Sequence, residues 1–320
     1  MVDIPYSEIP KVVLVCRQTR YKELLTKYRT ASNARFYLES LGADFDDYEN
    51  EDIAYEKCLQ VITQELQLWG RYQIIDRQYL PNYVFAKDDI IVVLGQDGLV
   101  ANTLKYLTTQ PVIGVNPDVN RWDGLLLPFH PADLASLLPE VWKGSRSLSE
   151  ITMAEVTLSD GQSMLAVNDF FVGARTHTSA RYEIDYQGTQ ENQSSSGLIV
   201  STGLGSTAWI SSIVAGSNAV VKAMSKGNSE AEPVITQKPP LLSWDTDHLL
   251  FAVREPFASK RSSTEIVYGE ISKGKPLTLR SNMPDNGVIF SDGIESDFIR
   301  FDAGLEASIG VSDRSGHLVQ

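Results

Sequence analysis

The chain has 320 residues, of which 42% are hydrophobic and 22% charged, a composition typical of a globular protein of one large or two ordinary domains. Its formal net charge of −13 excludes the broad basic field with which proteins bind nucleic acids or anionic membrane surfaces. Its two cysteines, Cys16 and Cys58, form neither a CxxC motif nor a Cys/His cluster, so we expect no structural zinc site and no disulfide framework.

The chain also lacks the usual signals for export. The first residues, Met1 to Pro5, do not combine a basic start with the apolar core of a secretory signal peptide. We find no uninterrupted apolar run near the roughly 20 residues of a membrane-spanning helix. We therefore expect a cytoplasmic protein, or a mitochondrial one if it is eukaryotic and processed, with neither a membrane nor a nucleic acid as its partner.

The first half of the chain alternates strand and helix patterns. Short apolar runs predict strands at 11–16, 72–75, 90–94 and 112–115, and residues 17–21 are predicted to be a polar loop. Between the first two strands, 53–68 carries an apolar stripe at helical spacing. This order is typical of a parallel sheet with helices on its faces, which binds ligands beyond the carboxyl ends of its strands.

A glycine turn follows the strand predicted at 90–94. It reads Gly95–Gln96–Asp97–Gly98, and apolar residues then recur at helical spacing up to Leu107. A strand, a glycine turn and a helix aim backbone N–H groups at a phosphate, and the carboxylate of Asp97 is placed to take a proton or to hold a magnesium ion. A tight turn with a solvated aspartate is the alternative interpretation.

The second half has a different pattern. From about Ser149 to Val311, short alternating segments are separated by turn residues, which favours an all-β, sandwich-like domain. One helix is predicted within 211–225, and polar loops are predicted at 190–196 and 226–239. We therefore predict an α/β fold class with two domains: a Rossmann-like parallel-sheet domain at 1–145 and a β-sandwich domain at 146–320.

Two segments of the second domain have ligand-binding chemistry. Asn168–Asp169 ends a predicted strand and places an amide beside a carboxylate, a pair suited to ribose hydroxyls; an Asx turn is the alternative. The segment from Ser201 to Trp209 combines glycines, hydroxyls and an aromatic ring. It can approach a ligand closely and stack on a base, or it can be a flexible loop.

Together these three segments resemble the NAD kinase family. Its members carry a GGDGT turn after a Rossmann-like strand, then an Asn–Glu or Asn–Asp pair, then a segment close to DGLIVSTPTGSTAY. The counterparts here are 95–99, 168–169 and 196–209, and the resemblance extends from about residue 11 to 310. The GSTAW segment is the specific part, whereas the Gly–Asp–Gly turn also occurs in lipid kinases and phosphofructokinases. The mitochondrial-type branch is most similar, in Thr19–Arg20–Tyr21, Gly203, Trp209 and Arg254–Glu255–Pro256.

The resemblance implies ATP-dependent phosphorylation of NAD(H) on the adenosine ribose 2′-hydroxyl to give NADP(H), by a homodimer that uses Mg²⁺ with its ATP. It implies no particular metal ligands. The residues that it assigns are Asp97 as the catalytic group; Gly95, Gln96 and Gly98 at the donor phosphates; and Asn168, Asp169, Ser206, Thr207, Ala208 and Trp209 at the dinucleotide.

The chain departs from the family inside the glycine turn. Gln96 replaces the second glycine and Leu99 replaces the threonine, and Ser196 stands where most members have aspartate. A side chain at position 96 is expected to conflict with a glycine-only backbone conformation or a close phosphate, and Leu99 removes a hydroxyl. Two alternatives therefore stay open beside an NAD kinase: a related kinase with a sugar or lipid acceptor, and a catalytically weakened dinucleotide-binding protein.

Overall fold

The computed structural model describes residues 9–225 and 241–320. The N-terminal residues 1–5 and the whole loop predicted at 226–239 lie outside the described residues. The chain forms two compact units, Met1–Ser149 with Gly316–Gln320, and Glu150–Ser315. The units divide a few residues beyond the predicted 145/146 boundary, and the last five residues belong to the first unit because they pair with its sheet.

The first unit is a parallel sheet flanked by helices. His317 and Leu318 extend the sheet by pairing in parallel with Pro111 and Val112. Its strands lie in the order Tyr72–Asp76, Val12–Cys16, Ile90–Leu94 and Pro111–Val115, and every pairing is parallel. The central strands are wholly buried, which explains their uniformly apolar sequences. The elements are β1 (Val12–Cys16), α1 (Arg20–Tyr28), α2 (Ala31–Ser40), α3 (Phe45–Trp69), β2 (Tyr72–Asp76), β3 (Ile90–Leu94), α4 (Asp97–Leu104), β4 (Pro111–Val115) and α5 (Leu134–Trp142).

Three features of this unit differ from the sequence prediction. Residues 17–21 are not all loop, because α1 begins at Arg20, where the Thr19 side chain accepts a hydrogen bond from the backbone N–H of Lys22. The predicted helix at 53–68 is the C-terminal part of the longer α3, which begins beside the N-cap Asp44. Helix α2 was not predicted. Helix α1 is short and none of its residues is fully buried, although Tyr21, Leu24 and Tyr28 pack against the cluster around Phe45.

The second unit contains two antiparallel sheets and one long helix. The elements are β5 (Leu148–Leu158), β6 (Ser163–Ala166), β7 (Asp169–Ala174), β8 (Ala180–Tyr186), β9 (Thr189–Ser195), β10 (Leu198–Ser201), α6 (Trp209–Ser225), β11 (His248–Val253), β12 (Tyr268–Ser272), β13 (Leu277–Ser281), β14 (Gly287–Ser291), β15 (Phe298–Arg300) and β16 (Glu306–Val319). One sheet has the order β12-β11-β10-β7-β14-β15. In the other sheet β16, β13, β8 and β9 lie side by side, with β5 and β6 attached through β16.

The core of this unit lies between its sheets. Phe170 and Val172 of β7 point into it, with alternate residues of the neighbouring strands. Phe171, between them, faces the other way and packs beneath Ile210 of α6. The architecture is therefore the predicted combination of an α/β domain and a β-sandwich domain.

The polar loop predicted at 190–196 is wrong, because most of that segment is strand β9. It pairs with β8 over its whole length, and Glu191, Gln193 and Ser195 are buried on its inner side. These side chains are hydrogen-bonded: Ser195 Oγ lies 3.0 Å from the Tyr182 hydroxyl, and Glu191 accepts from the backbone N–H of Glu265 at 3.0 Å. Because the buried face is polar, the strand shows no apolar alternation in sequence.

Among the described residues, one helical stretch, Leu204–Ser225, is long and apolar enough to span a membrane when judged by length and composition. Serine, glycine and asparagine interrupt its apolar residues, so the sequence shows no continuous apolar run there. Core helices of globular proteins pass the same test, so a single stretch is weak evidence. Its N-terminal part packs against the second unit through Ile210.

Candidate functional site

In the first unit, the glycine turn forms at the carboxyl end of β3. Gly95 is buried, Gln96 is the N-cap residue of α4, and the helix begins at Asp97. The first backbone N–H groups of a helix have no partner within it, and they carry the positive end of the helix dipole. The turn therefore has the geometry that the sequence predicts for a phosphate-binding turn.

The backbone at Gln96 is not restricted to glycine. Its φ of −121° and ψ of 163° are ordinary extended values that any L-residue adopts. The predicted conflict with a glycine-only backbone conformation is therefore absent. Leu99 is the more consequential change, because it is only 6% exposed and fills the space beside Gly95. A Cβ atom at position 95 would lie 2.8 Å from Leu99 Cδ2.

The carboxylate of Asp97 joins the turn to the loop after β4. Its Oδ1 accepts a hydrogen bond from the backbone N–H of Leu126 at 2.6 Å. That loop approaches the sheet so closely that a Cβ atom on Gly114 would lie 1.9 Å from the Leu126 carbonyl oxygen. Within the described residues, Asp97 Oδ2 makes no hydrogen bond, so it is left for a ligand.

Arg17 is a residue of this edge that the sequence analysis did not select. It directly follows β1, which pairs with β3, and its Cδ lies 3.8 Å from the position of a Cβ on Gly95. Its Nη2 pairs with Glu51 at 2.7 Å, and both side chains are more than nine-tenths buried. Its Nε is buried without a hydrogen-bond partner. In the sequence, the only indication that Arg17 belongs to this edge of the sheet is its position directly after a buried strand.

Arg20 has its charge balanced by carboxylates. It pairs with Asp47 at 2.9 Å and Glu51 at 2.5 Å, and Arg121 bonds to the same Asp47 at 2.5 Å. The hydrogen bonds from Arg121 and Arg20 lower the pKa of Asp47 to about 2. This network ties α1, α3 and the loop after β4 together, so Arg20 is chiefly structural in this state.

In the second unit, Asn168 and Asp169 lie where β7 begins. The Asn168 carbonyl oxygen accepts a hydrogen bond from the backbone N–H of Thr202 at 2.9 Å, and the Thr202 hydroxyl donates to the Val167 carbonyl oxygen at 2.5 Å. A Cβ atom on Gly205 would lie 2.0 Å from the Asn168 carbonyl oxygen, so this glycine permits the close approach of the two segments. The structure thus brings Asn168–Asp169 beside the 201–209 segment.

Asp169 is an unusual carboxyl group. It is only 6% exposed. Burial, followed by the negative charge of Asp292, raises its pKa to about 7. A carboxyl group with that pKa is substantially protonated near neutrality and can then donate a hydrogen bond.

The predicted dinucleotide residues 206–209 differ in what they offer. Ser206 is fully buried, and its hydroxyl donates to the Gly203 carbonyl oxygen at 2.7 Å, so it holds the short 3₁₀ helix Leu204–Thr207 in shape. Thr207 and Ala208 are exposed and accessible to a ligand. The Trp209 ring stacks at 6.0 Å on Phe171, and the Arg254 guanidinium lies 5.4 Å from its centre.

No group of three or more histidine, cysteine, aspartate and glutamate side chains that could hold a metal ion occurs in residues 9–225 and 241–320. A Mg²⁺ ion prefers a few carboxylate oxygens together with substrate phosphates and water. No all-protein cage for such an ion is available among these residues, and Asp97 Oδ2 is a carboxylate oxygen that their hydrogen bonds leave free.

Comparisons with known proteins were made by sequence and by fold. No family model matches the chain. It is 25% identical to human mitochondrial NAD kinase 2, over 78% of this chain and 71% of the human protein. It is 24% identical to the Xenopus tropicalis protein of the same name, over 90% and 86% of the two chains. Identity to the Acinetobacter baylyi NAD kinase is 31%, but the match covers 46% of this chain and 48% of the bacterial protein.

Solved structures share the fold. A structure of Archaeoglobus fulgidus NAD kinase in complex with ATP matches 97% of this chain and 93% of its own, with a TM-score of 0.54 and 15% identity. A structure of yeast NADH kinase complexed with NADH matches 99% and 88% of the two chains, with a TM-score of 0.57 and 15% identity. In sequence the chain is therefore similar to NAD kinases, among them mitochondrial NAD kinase 2, and it has the NAD kinase fold.

Proposed function

We propose that the chain is an NAD kinase, which transfers the γ-phosphoryl group of ATP to the 2′-hydroxyl of the adenosine ribose in NAD(H). The observation that carries the proposal is Asp97, a carboxylate at the start of a helix after a buried parallel strand, with one oxygen fixed by Leu126 and the other free. The relatives named NAD kinase support the same activity.

In the proposed reaction, Asp97 accepts the proton of the 2′-hydroxyl while the ribose oxygen bonds to the γ-phosphorus of ATP. The bond from that phosphorus to the β–γ bridging oxygen breaks, and ADP leaves. The backbone N–H groups at the start of α4 bind the donor phosphates. We also assign Arg17, whose side chain passes beside Gly95, to the donor phosphates. Mg²⁺ bound with ATP would neutralise phosphate charge, and we assign it no protein ligand, because the free oxygen of Asp97 serves as the base.

On the acceptor side, we assign the ribose hydroxyls of the nicotinamide half to Asn168 and Asp169. Within the described residues the amide of Asn168 makes no hydrogen bond, so both its donor and its acceptor remain for a ligand. Exposed Thr207 and Ala208 contact the dinucleotide through their backbone, and Trp209 offers a ring for stacking. Ser206 contributes by shaping this segment.

The test is incubation with ATP, Mg²⁺ and either NAD or NADH, with NADP(H) measured by an NADP-specific dehydrogenase. We expect NADP(H) from the parent chain and about 10²-fold less from Asp97→Asn. A parent that binds NAD but forms no product would support the dinucleotide-binding alternative. Phosphorylation of sugars or diacylglycerol without phosphorylation of NAD(H) would support the related-kinase alternative.

Assembly and compartment are further parts of the proposal. We propose a homodimer formed through the β-sandwich unit, as the family resemblance implies, and light scattering of the purified protein tests it. Curated relatives from human, rat and Xenopus are named mitochondrial. We propose a cytoplasmic location in a bacterium and a mitochondrial one in a eukaryote, which fractionation of the source cells tests.

A further inference from the structure

The carboxylate of Asp292 is hydrogen-bonded to the backbone at the start of β7, a segment that is distant in sequence. Its Oδ1 accepts from the backbone N–H groups of Asn168 at 2.6 Å, Val167 at 3.0 Å and Asp169 at 3.3 Å. Asp292 lies 123 to 125 residues further along the chain, directly after β14. Charged acceptors make strong hydrogen bonds, and these bonds fix the directions of consecutive peptide groups.

Asp292 itself has a backbone conformation that L-residues rarely adopt. Its φ is +55°, and the following Gly293 has a φ of +71°. The backbone N–H of Asp292 donates to the carbonyl oxygen of Asp169 at 2.9 Å, so the two aspartates bond to each other in both directions. Non-glycine residues keep such conformations where surrounding contacts require them, and they are frequent at functional sites.

The same short segment is held from its other side. The backbone N–H of Thr202 bonds to the carbonyl oxygen of Asn168, and Gly205 approaches that oxygen closely. The N–H and C=O of Asn168 are thus both engaged, while its side-chain amide makes no hydrogen bond within the described part of the chain. A fixed backbone with an unengaged side chain is the arrangement of a preorganised ligand contact.

We infer that Asp292 is a positioning residue of the dinucleotide site, which holds the backbone of Val167, Asn168 and Asp169 so that the Asn168 amide and the Asp169 carboxyl group meet the ribose hydroxyls of NAD(H). The inference rests on the proposed function, because it takes NAD(H) as the ligand. It assigns Asp292 to binding of the acceptor and gives it no contact with the reacting atoms.

The charge of Asp292 has a second consequence for the same site. Burial and the neighbouring charge of Asp292 both raise the pKa of Asp169 and so favour its protonated form. Replacement of Asp292 by asparagine keeps an oxygen that can accept backbone hydrogen bonds, but it removes the charge. The protonation midpoint of Asp169 should then fall to lower pH.

The test compares Asp292→Asn with a matched control, Asp302→Asn. Asp302 also accepts a backbone hydrogen bond, from Gly287 at 3.1 Å, at the beginning of β14 rather than after its end. We expect Asp292→Asn to raise the Kd for NAD at least tenfold, measured by calorimetry without ATP, and to leave the KM for ATP within twofold. The control should change the Kd for NAD less than twofold.

Two further measurements separate positioning from general stability. The pH at which NAD affinity changes should move to lower pH in Asp292→Asn and stay constant in the control. In the double variant with Asn168→Ala, Asp292→Asn should lose part of its effect on NAD affinity, because it acts through Asn168 as well as through Asp169. If Asp292→Asn does not fold, Asp292→Glu, which keeps the charge but lengthens the side chain, should raise the Kd for NAD with an unchanged pH midpoint.

Equal effects of Asp292→Asn and its control, or an unchanged Kd and pH midpoint in Asp292→Asn, would overturn the inference. For Asp292→Glu, an unchanged Kd for NAD would do the same. A parent chain that binds NAD without forming NADP would contradict the proposed kinase activity alone, since the calorimetric comparison still decides the role of Asp292. A parent chain that binds neither NAD nor NADH would overturn both.

Discussion

The Asp97 carboxylate accepts a hydrogen bond from the backbone N–H of Leu126 at 2.6 Å, and this contact joins the turn after β3 to the loop after β4. One carboxylate oxygen is thereby fixed, which orients the other without the help of a second side chain. The loop can supply this N–H because Gly114 lets its backbone approach β4. Asp97 is thus both a structural acceptor and the proposed catalytic group, and the two roles can be separated by mutation.

Asp97→Asn should retain the fold and lose about 10²-fold or more in turnover. Its amide oxygen can still accept from Leu126, but it cannot take a proton from the ribose hydroxyl. Asp97→Ala should in addition lower the free energy of unfolding by about 1–2 kcal/mol, because the Leu126 N–H loses its partner. Steady-state kinetics and urea denaturation of both variants provide the measurement. Near-normal turnover in Asp97→Asn would exclude it as the base.

The family turn can be restored by Gln96→Gly with Leu99→Thr. Each phosphate hydrogen bond recovered is worth roughly 1–2 kcal/mol, so we expect about a tenfold lower KM for ATP and a higher kcat/KM. The double variant should also melt at a lower temperature, because Leu99 is buried against Gly95. Gln96→Gly alone is the control. Its melting temperature should change little, because Gln96 has an ordinary extended backbone that does not require glycine. A fast parent and a slower double variant would make Gln96 an adapted donor contact.

Asn168→Ala should weaken NAD binding and change the free energy of unfolding by less than about 1 kcal/mol, because the amide makes no hydrogen bond within the described residues. Calorimetry and thermal denaturation provide the two measurements. Asn192→Ala, at an exposed position of β9, is the control and should leave NAD affinity unchanged. Unchanged affinity in Asn168→Ala as well would remove this residue from the site.

Asp169 should make the protein less stable as the pH rises from about 4 to about 7. Its pKa is raised from 3.8 to about 7, so over this range the unfolded chain releases the proton while the folded chain retains it. The free energy of unfolding should fall by on the order of 4 kcal/mol over this range, because each unit of pKa difference corresponds to about 1.4 kcal/mol. Denaturation at pH 4 and pH 8 measures it. Asp169→Asn should reduce the difference between the two pH values; an identical difference in both proteins would contradict the raised pKa.

Arg17→Met should raise the KM for ATP and leave the KM for NAD unchanged, because Arg17 lies beside Gly95. It also removes one of the two arginines paired with buried Glu51, so the free energy of unfolding should fall even though Arg20 remains. The double variant with Glu51→Leu should recover much of that stability while the KM for ATP stays raised. Arg35→Met, which removes exposed ion pairs, is the control. A normal KM for ATP in the double variant would make the Arg17–Glu51 pair purely structural.

The sequence was most informative where a local pattern reflects burial. The β-branched run at 90–94 predicted a strand covered on both faces, and the glycines after it predicted a turn into a helix. It was least informative where polar groups are buried in pairs. Strand β9 lacks an apolar face because its buried residues Glu191, Gln193 and Ser195 are polar and hydrogen-bond to residues elsewhere in the fold.

By itself, then, the sequence determined the strand–turn–helix around Asp97, the Asn168–Asp169 pair, the GSTAW segment and the resemblance to NAD kinases. Only the tertiary structure decided that Gln96 has an extended backbone, that Ser206 is buried and that Asp292 holds the segment before β7. Spacing along the chain governs helices, strands and turns, because these arise from neighbouring residues. A hydrogen bond between a carboxylate and a backbone N–H group more than a hundred residues away depends on which strands pair. Strand pairing in turn depends on the packing of the whole unit.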